Sequence, residues 1–327
     1  MHTVDRKRIA ALALAAILLN GSASAIFGMG KQKSVTVPEE GAPVAQDLSI
    51  STYRGVPYEA QLLAYDSEGD DMTFSVVEEP KKGTVTIDGA NFVYTPKENA
   101  SGADRFTFAV TDSNGFVSSP ATVTITIEKV KSGVMYADTD EATATAAQWM
   151  AEEGIFTGAK IGENYYFEPD RQVSRSEFVA MLMETTQRDV TAVTKTGFSD
   201  DTAIPTWAKA YAAAGVADGI LKGKETEDGA AFLGTDPISF DEAATMLNRV
   251  LDLGDVELEV WYADREPIPS WAAQAVGNME AMNVLSVGCF GSDMTVATVT
   301  RADAARMLSA AKTLLDGEQT ESWLRLW

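Results

Sequence analysis

Between Ala42 and Glu128 apolar and polar residues alternate with a period of two. Met72, Phe74 and Val76 stand between polar neighbours, as do Val85 and Ile87, Phe92 and Tyr94, and Phe106, Phe108 and Val110. Val123, Ile125 and Ile127 are interleaved with Thr122, Thr124 and Thr126. Such alternation buries one face of each strand. Turn dipeptides separate the runs: Gly69-Asp70, Lys82-Gly83, Asp88-Gly89 and Asn114-Gly115. About seven short strands in this span predict an antiparallel β-sandwich.

After the linker 129–134, which opens K-V-K-S-G, the period becomes helical. Trp207, Tyr211 and Ala214 share one predicted stripe, and Trp271, Ala275, Met279 and Met282 another. The motif V-S-R-S-E-F-V-A-M-L at Val173–Leu182 returns as I-S-F-D-E-A-A-T-M-L at Ile238–Leu247 and as V-T-R-A-D-A-A-R-M-L at Val299–Leu308. Each copy follows an aromatic-x-Asp start, at Tyr136–Asp138, Phe198–Asp200 and Tyr262–Asp264. Small-residue stops, Gly154…Gly158, Gly215…Gly219 and Asn283…Gly288, close the first helix of each unit. The chain therefore reads as three helix–loop–helix repeats, 135–190, 195–254 and 259–315, that bury one another's faces, with a tail over 316–327. The fold class is multidomain, all-β (42–128) and then all-α.

Arg6, Lys7 and Arg8, the apolar run Ile9–Leu19 and Ala23-Ser24-Ala25 have the layout of an export signal over 1–25, followed by a spacer over 26–41. Eleven apolar residues are too few to span a bilayer, and no later segment is longer, so the mature chain is expected outside the cell with no transmembrane segment. It would carry 23 basic against 47 acidic residues, a net charge of −24. That balance repels phosphate backbones and argues against nucleic acid. Cys289 is the single cysteine, which excludes an internal disulfide. His2, the only histidine, leaves with the signal, so no His-based triad, general base or metal ligand is expected.

Chemistry has few candidates. Asp66, Glu68, Asp70 and Asp71, with Asp112, form an acidic group that could take calcium through hard oxygen ligands. It is not an EF-hand, because the glycine is misplaced and no closing Glu follows; a solvated turn in an acidic chain is the plainer reading. No other cofactor is indicated. Ser174-x-x-Glu177, Ser239-x-x-Glu242 and Thr300-x-x-Asp303 read as capping boxes. Arg175 and Arg301 occupy the first helical position, where a cation is mildly unfavourable. Beside free backbone N–H groups, however, a guanidinium makes a good carboxylate site. A structural salt bridge is the alternative. Trp149, Trp207 and Trp271 fall at helical spacing and read as core, with stacking on sugar rings as the second reading.

Two resemblances follow from these residues. Ala42–Ala45, Ala64–Asp66 with Gly69-Asp70, Asn91–Pro96, Gly102–Asp104 and Thr111–Gly115 resemble the bacterial Ig-like/cadherin-like repeats of surface proteins. This likeness implies a spacer or adhesive module with a surface-protein or host partner. From Tyr136 to about Leu315 the chain resembles S-layer homology repeats. That likeness implies a pseudo-threefold helical assembly, with grooves between repeats that hold a secondary cell-wall polysaccharide or another peptidoglycan-linked glycan, often pyruvylated and acidic. It places Arg175 and Arg301 against the sugar acid, with Phe240 in the second repeat, and Asp138, Asp200, Asp264, Trp207 and Trp271 complete the candidate set. The expected function is non-catalytic anchoring to the wall at the cell surface. A glycosidase with paired carboxylates, an accessory to a glycan-degrading system, and an envelope tether to peptidoglycan are the alternatives.

Overall fold

The computed structural model describes residues 41–252, 254–261, 269–285 and 297–324. The expected export signal, most of the spacer, Tyr262–Asp264, Gly288 and Cys289 lie outside the described residues. The chain separates into two compact units: residues up to Val134 with Asp140–Gln148, and Met135–Thr139 with everything from Trp149.

Among the described residues of the first unit nine strands run in order: β1 (Val44–Ala45), β2 (Leu48–Tyr53), β3 (Tyr58–Gln61), β4 (Ala64–Tyr65), β5 (Met72–Glu78), β6 (Gly83–Asp88), β7 (Asn91–Pro96), β8 (Gly102–Asp112) and β9 (Ala121–Glu128). One sheet has the order β2-β9-β8-β5 and the other β3-β7-β6, with β1 and β4 as a separate short ladder. The predicted alternation holds on β9, where Val123, Ile125 and Ile127 are buried and Thr124 and Thr126 are exposed. Phe92, Tyr94, Phe106, Phe108 and Val110 join them in the core. Phe92 meets Phe106 edge-on at 5.5 Å.

Two expectations need correction. The sandwich is not wholly antiparallel: β2 pairs with β9 in parallel, a relation between strands far apart in sequence that no local pattern encodes. Lys82-Gly83 is not a turn of the left-handed kind. Gly83 opens β6, and a Cβ there would lie 2.6 Å from the Tyr94 ring, so the glycine serves close packing. At Gly89 and Gly115 the expected left-handed turns are present, with φ of 59° and 90°.

The second unit contains α1 (Glu141–Glu152, which begins in the first unit), α2 (Arg175–Thr185), α3 (Thr206–Ala217), α4 (Phe240–Leu251), α5 (Leu258–Trp261), α6 (Ala273–Ala281) and α7 (Arg301–Leu324). In the first two repeats the predicted loop between helices holds a β-hairpin, β10 (Ala159–Ile161) with β11 (Asn164–Tyr166) and β12 (Lys224–Thr226) with β13 (Gly229–Ala231). The expected tail continues α7 as far as Leu324.

The three motif copies meet in a closed ring. Val173 N–H donates to Val299 C=O at 2.9 Å, Val299 N–H to Ile238 C=O at 2.9 Å, and Ile238 N–H to Val173 C=O at 3.0 Å. All three side chains are fully buried. Each residue gives one bond and receives one, so the three motif copies close on one another at this point.

The glycine stops are equivalent in a register one helical turn different from the one expected. Gly154, Gly219 and Asn283 hold the left-handed closing position, with φ of 71°, 74° and 57°. Gly158 matches Gly223, and both are also left-handed. Gly215 lies inside α3, where Leu221 packs so closely that a Cβ would meet its side chain at 2.9 Å. Similarity of the pattern G-V-x-x-G to G-I-x-x-G misplaced it.

The core stripe of α3 is rotated by one residue from the one predicted, whereas on α6 the predicted Ala275 and Met279 are buried and Trp271 and Met282 are not. Ala208, Ala212 and Gly215 are buried on α3, and Ala272, Ala275, Val276 and Met279 on or beside α6. Small residues let these helices pack closely, and the neighbouring tryptophans are turned outward.

Gly154 and Gly158 share a left-handed backbone but differ in surroundings: a Cβ at Gly154 meets nothing within 4 Å, whereas one at Gly158 would meet Tyr166 C=O at 2.2 Å. Gly154→Ala should cost about 1–2 kcal/mol of backbone strain, Gly154→Asn less, and Gly158→Ala well over that, read from chemical unfolding of the full chain. In the sandwich, burial opposes ionisation of Asp104, yet donors from Lys81 N–H, Lys82 N–H and Tyr94 Oη hold its carboxyl below the usual range. A carboxyl with a depressed folded pKa gives stability that is present above the unfolded value of about 4 and is lost as pH falls through the folded one. Acid titration of the sandwich melting transition should therefore steepen below about pH 4, and Asp104→Asn should flatten it.

Candidate functional site

The three motif copies open α2, α4 and α7, and their first N–H groups determine what can bind there. Arg175 N–H donates to Asp236 C=O at 2.9 Å and Ser176 N–H to Gly234 C=O at 2.9 Å. Arg301 N–H donates to Arg171 C=O at 2.9 Å, Ala302 N–H to Pro169 C=O at 3.0 Å, and Phe240 N–H to Ala297 C=O at 3.1 Å. Every acceptor lies in the loop of another repeat. The third N–H is taken within the motif: Glu177 by Ser174 Oγ, Glu242 by Asp241 Oδ1 and Asp303 by Thr300 Oγ1. The reciprocal bonds of the capping boxes, Ser174 N–H to Glu177, Ser239 N–H to Glu242 and Thr300 N–H to Asp303, are also present. A helix start with its donors already engaged is not an anion site. The free N–H groups expected beside the arginines do not exist.

Both arginines are buried. The Arg175 side chain lies with its Nη1 3.1 Å from Glu242 Oε2 and over the Phe232 ring at 6.0 Å. Glu242 also receives Lys224 Nζ at 2.5 Å. Burial pulls the Arg175 guanidinium below its usual range, against the opposing pull of Glu242. Arg301 Nη1 donates to Phe167 C=O at 2.8 Å and to Glu168 Oε2 at 2.8 Å, and its guanidinium lies 4.5 Å over the Phe156 ring. Each arginine thus reaches into another repeat, from the first to the second and from the third to the first. Their geometry is that of ties between repeats, which was the alternative reading of the sequence.

The aspartates of the repeat starts are engaged in the same way. Asp138 accepts Phe167 N–H and Glu168 N–H, both at 2.8 Å, and Asp200 accepts Phe232 N–H at 2.7 Å and Leu233 N–H at 2.8 Å. Glu168 and Leu233 have φ of 55° and 54°, a left-handed conformation costly for such residues. Each carboxylate clamps that strained corner with both oxygens. The starting aromatic packs on the clamped loop, Tyr136 on Phe167 at 5.2 Å and Phe198 on Phe232 at 5.5 Å. Asp264 lies outside the described residues.

Trp207 is 52 % and Trp271 60 % exposed, which corrects the expectation that they are core. They stand 64 residues apart at equivalent places, beside the first buried residue of their helices. Trp149 is half-buried. Of the acidic group in the sandwich, Asp66, Asp70 and Asp112 come together, each offering an oxygen within 4.8 Å of the others. Glu68 and Asp71 are exposed and take no part in that group.

Comparison with known proteins gives the first unit a family. Residues 40–126 match the bacterial Ig domain. Over 136 residues the chain is 27 % identical to the surface-layer 125 kDa protein of Lysinibacillus sphaericus, covering 42 % of this chain and 11 % of that protein. The chain thus spans about a ninth of the length of that curated relative. Together these two matches indicate a cell-surface protein. Among solved structures, an endo-fucoidan hydrolase of glycoside hydrolase family 107 is similar at 21 % identity and a TM-score of 0.25, over 34 % of this chain and 17 % of that one. The SrpA adhesin of Streptococcus sanguinis is similar at 17 % identity and 0.23, over 31 % and 68 %. Fibronectin(III)-like modules of Clostridium thermocellum CbhA are similar at 16 % identity and 0.20, over 28 % and 48 %. None of these likenesses bears on activity.

Beyond the bacterial Ig domain, the three-repeat unit has a depression that sequence reasoning missed. Thr185, Thr186, Gln187, Arg188, Val250, Lys312 and Leu315 line a volume of about 200 Å³ at the C-terminal ends of α2 and α4 and beside the middle of α7. Arg188 places positive charge just past the C-terminal end of α2, where the carbonyl dipoles are negative, and Lys312 adds a second cation from the middle of α7. The signal in the sequence is a basic residue after the first and third motifs, Arg188 and Lys312, and their meeting is not encoded locally.

Arg175→Ala would leave Glu242, whose side chain is 12 % exposed, with Lys224 as its remaining cation. It should lower the stability of the three-repeat unit by about 3 kcal/mol, the usual cost of breaking a buried pair. Arg301→Ala should cost less, since Glu168 is half exposed. Denaturant unfolding of the full chain measures both, and unchanged stability would return these arginines to a ligand-binding role.

Proposed function

We propose that this chain is a non-catalytic cell-surface protein in which the three-repeat unit, of the S-layer homology type, holds a cell-wall polysaccharide. The bacterial Ig domain acts as the spacer or adhesive module. The repeated motif and the similarity to a surface-layer protein support this reading. The observation that carries it is the pair Trp207 and Trp271, exposed at equivalent positions of the second and third repeats. A large indole left in water on a unit built to bury its small residues is a surface for stacking on a sugar ring. Stacking also suits the charge: a strongly acidic protein gains little from attracting an anionic glycan at long range, and the apolar face of a pyranose needs no countercharge.

Wild-type protein should sediment with purified wall sacculi, and acid extraction of the secondary polymers should abolish this. Trp207→Ala and Trp271→Ala should each weaken binding roughly ten-fold, corresponding to about 1.4 kcal/mol. Far-UV circular dichroism should be unchanged, because neither ring lies in the core. A doubly substituted protein that binds like wild type would remove the tryptophans from the site, and wild type that ignores sacculi would remove the function.

A further inference from the structure

We infer that Asp66, Asp70 and Asp112 form a calcium site at one end of the sandwich. Strand register creates it. Met72, the first residue of β5, pairs with Asp112, the last of β8, and this sets the β4–β5 loop carrying Asp66 and Asp70 against the end of β8. The oxygens are then divided between two tasks. Asp66 Oδ1 accepts the N–H groups of Glu68 and Gly69 at 2.8 Å and of Asp70 at 3.2 Å. Asp112 Oδ1 accepts those of Asn114 at 2.8 Å and Phe116 at 2.9 Å. Each aspartate thus organises its own turn with one oxygen.

The second oxygens have no such role. Asp66 and Asp112 are each 6 % exposed, and the Oδ2 atom of each is buried with no hydrogen-bond donor. Asp70 Oδ2 accepts Asn114 Nδ2 at 2.6 Å. Among the described residues no lysine or arginine forms an ion pair with any of the three.

Three carboxyl groups of like charge, two of them with a buried acceptor atom facing no donor, are costly as they stand. Turns alone would need one oxygen from Asp66 and one from Asp112 and would leave the other in water. A cation satisfies all three groups at once. The donor set is all oxygen, which selects a hard ion. Oxygens within 4.8 Å of one another suit calcium, whose ligands stand 2.3–2.6 Å away in irregular cages completed by water. Magnesium demands near-octahedral geometry and gives up water reluctantly, so it fits a cage fixed by strand register and turns less well. Bound calcium would cross-link the β4–β5 loop to the end of β8.

The test is thermal unfolding of the full chain, first stripped with chelator and then given calcium at about 1 mM, the range of extracellular modules. The sandwich transition should rise by about 5–10 °C, magnesium should do far less, and calorimetric titration should show one site in this unit. Asp70→Ala removes a ligand whose side chain holds no backbone N–H and gives up only the exposed bond from Asn114 Nδ2, so the variant should fold and lose most of the shift. Asp112→Asn keeps the turn acceptor and removes charge, so it should be at least as stable as wild type in chelator and less stable in calcium. A flat response of wild type would overturn the site, as would a calcium shift that survives Asp70→Ala. Loss of stability in Asp112→Asn that is equal with and without calcium would also overturn it.

Discussion

Three backbone hydrogen bonds, joining Val173 to Val299, Val299 to Ile238 and Ile238 to Val173, are the constraint on which the C-terminal unit depends. Each bond lies between residues that are neighbours only because all three repeats are present. A ring of this kind cannot be half formed without leaving buried donors and acceptors unpaired. The same crossing pattern continues outward, where the opening N–H groups of each motif helix find carbonyls in another repeat. The motif is therefore conspicuous because it builds the assembly. Its helix starts are closed to anions for the same reason.

Charge inside the unit obeys that architecture. Arg175 and Arg301 lie over aromatic rings and against carboxylates of a different repeat, and Asp138 and Asp200 hold left-handed corners in place. In the second repeat Phe240 stands where the others have arginine, while its N–H keeps the shared bond. The backbone ring is thus the invariant part of the plan, and the cation is an addition made twice. Trp207 and Trp271 are left exposed by this scaffold, and the proposed function assigns ligand contact to them.

Two kinds of buried carboxylate distinguish the sandwich. Asp104 has donors on both oxygens, from Lys81, Lys82 and Tyr94, and is complete within the protein. Asp66 and Asp112 have donors on one oxygen each, and it is their second oxygens on which the calcium proposal rests. An acidic group becomes informative only when its individual oxygens are followed, since composition cannot separate these cases.

Much was legible in the chain before its structure. Period-two alternation located the strands, because a pleated face alternates whatever its partner. The repeats, the capping boxes and the closing role of Asn283 were readable too, since each is a local rule about a few consecutive residues. Tertiary structure alone decided the rest. The stripe on α3 is Ala208–Ala212–Gly215, not the tryptophan stripe one residue away, because closeness of packing rather than hydrophobicity selects the inner face. The parallel pairing of β2 with β9, the internal engagement of Arg175 and Arg301, and the meeting of Asp66 with Asp112 all join residues far apart in the chain. Periodicity fixes which face of an element is apolar, but not which element will lie against it, and a charged residue's role depends on that neighbour.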